Sequence, residues 1–389
     1  MVPVVIPIQC IVPPHMLRHL AERGDARMRA LALRTLVQSA RLRGRREILG
    51  TLPVATPAGE ERRTIYDARH TSSLPGMLVR GEGDPPASDP TVNEAYDGLG
   101  ATYQFYHDIF DRNSIDNKGM RLDATVHYEV DYDNAFWDGQ QMVFGDGDGT
   151  LFVGFTKSLD VIGHELTHGV TQFDAGLEYH DQPGALNESI SDVFGSLVKQ
   201  YALKQDVRQA DWLIGQGILG PNIHGEALRS MKAPGTAYDD PTLGKDPQPS
   251  TMKGYVKTSE DNGGVHINSG IPNHAFYLAA MAIGGYAWEE TGKIWYTALR
   301  RFQPITDFQE AANITSQAAG EIFGTGSSEQ QSVRDAWAQV GIKVAGVRAP
   351  RRVAKHAPAE TNGELAKELE NVVEELQNVA AVLTHAVAH

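Results

Sequence analysis

The chain has 389 residues, 41% apolar and 22% charged, with a formal net charge of −14. Those values suit an ordinary buried core and more than one domain. The single cysteine, Cys10, excludes an intramolecular disulfide, and no apolar run reaches the roughly 18 residues that a spanning helix needs.

The N-terminal leader differs from the rest in charge. Residues 1–63 hold eleven arginines, no lysine and five acidic residues, so the −14 divides into +6 here and −20 on the remainder. A basic leader is electrostatically complementary to an acidic body. Met1 to Val12 is apolar but broken by Pro3 and Pro7, and it lacks a basic start and a small-residue cleavage site. The expectation is a cytoplasmic protein, or one exported without a recognisable signal peptide. A helical pattern runs from Arg18 to about Val37, and Gly50 to Glu61 carries the turn residues of a connector. Glycine turns and short alternating runs make residues 64–157 β-rich. Within that stretch Val126, Tyr128 and Val130 alternate with His127, Glu129 and Asp131, predicting a half-buried strand towards Asn134 whose edge could pair with an extended peptide. Asp146-Gly147-Asp148-Gly149 looks like the start of a calcium loop, but its twelfth position is Lys157, so the spacing predicts a hairpin turn.

The chemistry concentrates in His164-Glu165-Leu166-Thr167-His168. On a helix, positions i and i+4 share a face, so both imidazoles can reach one Zn2+ ion, while Glu165 points aside and can take a proton from the attacking water. A catalytic zinc wants a third protein ligand, and Glu188, near the start of a second helical stretch, supplies it. Asp192 lies four residues further on the same face, placed to accept the outer N–H of a ligating histidine. A three-histidine zinc class is excluded because Thr171 and Asp174 stand where it needs glycine and histidine. The Gly263-Gly264 and Ser269-Gly270 pairs around His266 predict a loop that approaches a ligand closely, with Asp261 near enough to keep the imidazole protonated.

These motifs, with Asn134-Ala135-Phe136-Trp137, Met142 to Gly149, Gly184 to Asp192, Leu228-Arg229-Ser230-Met231 and Asp261 to Gly270, resemble the blocks of the thermolysin family of zinc neutral metallopeptidases, in its order, from about Arg63 to about Ala345. The resemblance implies an α+β fold of two subdomains, β-rich then mainly α-helical, with the zinc helix between them. It implies His164, His168 and Glu188 as zinc ligands, Glu165 as base, Tyr179 and His266 as holders of the oxyanion, and Asp261 orienting His266. It further implies that Asn134, Ala135 and Arg229 grip the substrate backbone, and that Phe152, Phe155, Val161 and Leu228 surround the primary pocket. Ile11-Val12-Pro13-Pro14-His15-Met16-Leu17 is similar to the short propeptide of the protealysin-like subgroup. The expected organisation is propeptide 1–50, connector with activation cleavage 51–63, β-rich subdomain 64–157, zinc helix and helical subdomain 158–345, linker 346–361 and amphipathic helix 362–389.

The family's paired-calcium site is expected to be absent. Asp160 and Asp211 match two of its carboxylates, but Lys199, Leu213 and Gln216 replace further acids, and Lys199 could pair with Asp160 instead. In the tail, Leu365, Leu369, Val372, Leu376, Val379, Leu383 and Ala386 form a heptad seam suited to self-association. The function expected is a zinc endopeptidase made as a proenzyme, its propeptide serving as inhibitor, cleaving peptides on the amino side of large hydrophobic residues. Neither nucleic acid nor a membrane is an expected partner. A non-catalytic interaction protein on a peptidase scaffold would lack a base or a ligand, and none is missing; an aminopeptidase would carry Gly-x-Met-Glu-Asn, which is not found.

Overall fold

A computed structural model of the chain describes residues 9–49 and 61–344; the tail seam with its proposed self-association, the linker and most of the connector lie outside them. A short strand β1 (Gln9–Cys10) leads through Pro13 into helix α1 (Pro14–Arg23), with proline at the first helical position, where no N–H needs an intrahelical partner. The single leader helix expected over 18–37 is in fact two. Gly24 ends α1 in extended backbone, and Asp25 Oδ1 accepts the Met28 amide at 2.9 Å to open α2 (Ala26–Leu49).

The N-terminal half is built on a six-stranded sheet. Its members are β1, β2 (Arg63–Asp67), β3 (Met77–Gly81), β4 (Leu122–Val126), β5 (Ala135–Trp137) and β6 (Met142–Phe144), in the order β1-β5-β6-β4-β2-β3. The β4 strand runs parallel to both β2 and β6; the other neighbours are antiparallel. A 21-residue helix, α3 (Pro90–Phe110), sits inside the region expected to be β-rich, its start capped by Asp89, which accepts the Thr91 amide. It packs between the sheet and the zinc helix, covering the face that β2 and β4 bury.

The strand expected through Val130 stops at Val126. His127, Glu129 and Asp131 all take positive φ, 54–56°, so the chain coils rather than extends. Of the positions that alternate, Val126 and Tyr128 are buried but Val130 is half exposed, and the Tyr128 ring packs edge to face with Tyr132 and Phe136 at 5.2 and 5.7 Å. The edge available to a peptide is β5 instead, and the leader's own β1 already pairs with it, Gln9 opposite Trp137 and Cys10 opposite Phe136. The hairpin expected at Asp146–Gly149 is an irregular loop. Asp148 Oδ1 accepts the Thr150 and Leu151 amides, and Phe152 then bridges to Leu219 rather than pairing with β6.

The helical half begins with α4 (Leu159–Asp174), which carries the two zinc-motif histidines, and α5 (Asp181–Leu203), which carries Glu188 and Asp192. Two glycines bring these helices together. A Cβ on Gly195 would lie 2.4 Å from the Asp160 carbonyl and 2.9 Å from the His164 amide, and one on Gly163 would meet the Gly195 Cα at 3.1 Å. Only bare backbone permits that approach, and it sets Glu188 and Asp192 against the α4 face. Two small ribbons follow, β7 (Leu213–Ile214) with β8 (Arg229–Ser230) and β9 (Asp239–Asp240) with β10 (Gly244–Lys245). The remaining helices are α6 (Asp261–Asn268), α7 (Gly270–Ile283), α8 (Thr291–Leu299), α9 (Phe308–Phe323) and α10 (Ser328–Gln339). One apolar cluster runs from Ile11 to Ile342, so the leader residues 11–36 share the core of both halves.

Candidate active site

Four residues apart on α4, His164 and His168 turn their Nε2 atoms towards each other at 2.9 Å, and the Glu188 oxygens lie 3.5 and 3.6 Å from them. All three side chains are fully buried. The ring orientation decides which protons are present. His164 Nδ1 donates to Asp192 Oδ1 at 2.8 Å, and His168 Nδ1 donates to Asn187 Oδ1 at 2.8 Å. Both Nε2 atoms are therefore bare lone pairs, facing one another beside a carboxylate whose Oε2 has no hydrogen-bond partner. Two imidazole nitrogens and a buried carboxylate oxygen converging on one point make a cradle for a cation, and two imidazoles with one carboxylate are the donor set of a catalytic zinc.

The surrounding charges hold this cradle in place. Asp192 also receives the Arg229 Nε and Nη2 at 2.8 Å each and the Asn273 Nδ2 at 2.8 Å. Burial would raise its pKa, but Arg229 and His164 outweigh that and keep it below the usual carboxylate range. Arg229 is pushed up in turn: burial lowers it and the Asp192 ion pair more than compensates. Asn187 and Asn273 were missed from the sequence. Asn187 carries a faint signal, its i, i+4 spacing with Ser191, whose hydroxyl lies 2.9 Å from the same His168 Nδ1; Asn273, 81 residues from Asp192, carries none.

Glu165 is fully buried beside the cradle. Its Oε2 accepts the Trp137 amide at 3.1 Å, and its Oε1 has no protein partner. Burial, with the charge of Glu188 added, raises its pKa well above the ordinary value. Tyr179 donates its hydroxyl to Glu188 and lies 3.3 Å from His266 Nε2. The loop expected around His266 is instead the short helix α6, entered through a left-handed run, Asp261 to Gly264, with φ between 49 and 83°. That reversal aims His266 Nδ1 at Asp261 Oδ1, 2.6 Å away, and lets Asp261 Oδ2 accept the His266 amide at 3.0 Å. Burial would lower the pKa of His266, but Asp261 and Glu188 raise it to about 9, so its Nε2 is a donor at neutral pH.

That donor is already in use, since His266 Nε2 binds the Cys10 carbonyl at 3.0 Å. The next leader residues continue the pattern. The Ile11 amide donates to the Ala135 carbonyl at 3.2 Å, the Ile11 carbonyl accepts from Arg229 Nη1 at 3.0 Å, and the Val12 amide donates to Asn134 Oδ1 at 3.0 Å. Ile11 is wholly buried in the same apolar cluster as Phe152, Phe155, Val161 and Leu228. The leader residues Cys10 to Val12 thus contact His266, Ala135, Arg229 and Asn134, four of the residues foreseen for the site. Elsewhere, Lys199 Nζ lies 2.6 Å from Asp160, 3.0 Å from Asp211 and 2.9 Å from the Leu213 carbonyl.

Comparison with known proteins agrees with this geometry. Residues 60–172 match the family description "Thermolysin metallopeptidase, catalytic domain", and residues 175–342 match "Thermolysin metallopeptidase, alpha-helical domain". The chain belongs to the thermolysin family of metallopeptidases. An extracellular metalloprotease of Pectobacterium carotovorum subsp. carotovorum is 52% identical over 340 residues, covering 87% of this chain and 97% of that one. A thermolysin of Alicyclobacillus acidocaldarius is 42% identical over 287 residues, 71% of this chain and 50% of that protein. Among solved structures, the precursor of protealysin from Serratia proteamaculans superposes with a TM-score of 0.79 at 54% identity, covering 86% of this chain and 99% of that one. This family member is a zinc endopeptidase made as a proenzyme.

The role of Asn187 is directly measurable. Asn187→Ala leaves His168 Nδ1 only the Ser191 hydroxyl as partner, so zinc affinity should fall by about 10–100-fold with the fold retained. Competition against a chromogenic zinc chelator reads the change; an unaltered dissociation constant would show that Asn187 does not position His168.

Proposed function

We propose that His164, His168 and Glu188 hold the zinc, that Glu165 is the general base, and that the cleft hydrolyses peptide bonds on the amino side of large hydrophobic residues. When bound, zinc would supply Lewis acidity towards a carbonyl oxygen and an acidified water. The protein's own groups do the rest. Glu165 takes a proton from the attacking water and returns it to the leaving amine, a task helped by its raised pKa. Tyr179 and His266 donate to the carbonyl oxygen as it gains charge, each worth about 3–4 kcal/mol by analogy with single oxyanion-hole donors, and Asp261 keeps His266 protonated. Arg229, Asn134 and Ala135 align the substrate backbone with the zinc helix.

One observation carries this reading: the leader strand engages His266, Arg229, Asn134 and Ala135 as a substrate backbone would. The Cys10 carbonyl meets the oxyanion donor His266, and the next residue, Ile11, offers its carbonyl to Arg229 and its side chain to the apolar cluster. A residue in the place of Ile11 follows the bond to be cut, which supports specificity for large apolar side chains on that side; a pocket lined by Phe152, Phe155, Val161 and Leu228 would reward such a side chain by about 1.5–3 kcal/mol. The same contacts support residues 1 to about 50 as an inhibitory propeptide. Further support comes from the helix α2 contacts, Gln38 Nε2 to Glu129 at 2.5 Å and Ser39 to the Tyr132 hydroxyl at 3.0 Å.

The relative from Pectobacterium is named extracellular, which favours export of this chain over a cytoplasmic site of action; detection in the culture medium of the producing cells, and not only in lysates, checks it. In place of paired calcium, the Lys199 ammonium sits between Asp160 and Asp211. Burial alone would lower its pKa, but these two carboxylates raise it, keeping the charge that a calcium ion would otherwise provide.

Glu165→Gln should keep its zinc and lose casein hydrolysis by roughly 10³–10⁴-fold, because only the proton carrier is removed. Near wild-type turnover would refute the assignment. Mass spectrometry of wild-type protein should find the active species shortened by about the first 50 residues; full activity with the leader still attached would refute the inhibitory role. A chelator that removes calcium but spares zinc should leave the melting temperature unchanged, and a large fall would contradict the Lys199 substitution.

A further inference from the structure

A second cluster of metal-binding side chains lies in the N-terminal half, at a place distinct from the catalytic cradle. His70 follows β2, His127 follows β4, and Asp146 follows β6, so the ends of three strands bring one imidazole, another imidazole and a carboxylate together. His127 Nδ1 is 2.9 Å from both Asp146 oxygens, and His70 Nδ1 is 3.5 Å from Asp146 Oδ2. One ligand atom from each residue falls within 4.8 Å of the others. The two histidine–carboxylate distances, 2.9 and 3.5 Å, fall in the 2.9–3.6 Å range of the catalytic cradle, and they bracket the about 3.3 Å that separates ligands around a tetrahedral zinc with bonds near 2.0–2.1 Å.

The outer arrangement repeats as well. His164 is fixed through the ring nitrogen that faces away from its cradle, by Asp192. His127 is fixed in the same way: its Nε2 meets Asp89 Oδ2 at 2.8 Å, leaving Nδ1 towards Asp146 and His70. Asp89 is itself immobilised, because its Oδ1 caps α3 through the Thr91 amide. A carboxylate behind a histidine sets the ring's tautomer and orientation for a metal. Both histidines also stand in left-handed backbone, φ 57° and 54°, tied by the His70 amide to the His127 carbonyl at 2.9 Å. Holding a non-glycine residue there costs free energy, and here two such residues point their rings, 5.5 Å apart, at one carboxylate.

We propose that His70, His127 and Asp146 form a second divalent transition-metal site, with zinc as the ion of choice and water completing the shell. Without the ion, His127 bridges Asp89 and Asp146 through its two ring nitrogens; a bound metal would take the place of the contact at Nδ1. His70, with its side chain 55% exposed, is the mobile ligand and closes the site from the solvent side. Two imidazoles and one carboxylate suit zinc, nickel or cobalt and disfavour calcium, which takes six to eight oxygens. The ion would tie together the turns after β2, β4 and β6.

The test counts zinc. Full-length protein and two variants, His70→Asn and Asp146→Asn, are equilibrated with buffered zinc chloride, freed of loose metal by gel filtration, and analysed by mass spectrometry of the metal. Asparagine tolerates the left-handed backbone at position 70, so that variant folds. The expected result is two zinc ions per wild-type chain and one in each variant, with the His70→Asn protein keeping full casein hydrolysis once activated. Zinc-equilibrated wild type should melt at a higher temperature than wild type carrying one ion, whereas equilibrating one-ion His70→Asn with the same zinc should leave its melting temperature unchanged. One ion in the wild type would leave these residues as an ion pair and overturn the proposal, as would two ions in His70→Asn. Loss of the catalytic ion would instead appear as lost hydrolysis, so the two sites fail distinguishably.

Discussion

Asp192 is the fixed point of the site. Its two oxygens accept four buried hydrogen bonds, from His164, Asn273 and both arms of the Arg229 fork, which fills its acceptor capacity. One end of this network orients a metal-facing histidine; the other holds the arginine whose remaining N–H reaches the backbone lying in the cleft. The orientation of His164 and the arginine's hold on the leader backbone therefore share a single buried charge, whose partners would be expensive to leave unpaired. The network exists only because Gly163 and Gly195 let α4 and α5 approach to backbone contact.

The leader uses that framework without adding chemistry of its own. Its strand adds to the edge of β5, and the leader polar atoms between Cys10 and Val12 named above meet Ala135, Asn134, Arg229 or His266, the groups proposed to receive a substrate backbone. Its helices extend the docking surface, burying Met16, Leu17, Leu20 and Leu36 in the common core. Electrostatics adds to the fit, since the leader's excess arginine meets an acidic body; Arg18, for example, pairs with Glu260 at 2.7 Å. A segment held by both core burial and cleft hydrogen bonds dissociates reluctantly, which fits a blocking role.

Local periodicity made part of this legible before the fold was known. The helix that became α4 is legible because His164, His168 and the apolar positions around them share a helical period. Glu188 and Asp192 could be assigned for the same reason, being four residues apart on one face. What depended on distant pairing left no such trace. The meeting of Cys10 with His266, 256 residues away, has no signature in either segment. The break at Gly24 was hidden because apolar spacing continues across it, and the coil at His127–Asp131 imitated a strand because Val126, Tyr128 and Val130 are apolar at every second position whatever backbone carries them. His266 read as a loop because glycines dominate its approach; only the left-handed turn itself explains how a helix begins immediately after them.

The sharpest test of the shared role of Asp192 is Asp192→Asn in the full-length protein, read in two assays on one sample: zinc affinity by chelator competition, and release of the leader by limited proteolysis. The amide keeps the shape but removes the charge that orients His164 and anchors Arg229. Zinc affinity should fall by about 10–100-fold, and the leader's hold, tested as its rate of release by limited proteolysis, should loosen with it. Unchanged zinc affinity together with an equally resistant leader would contradict the account.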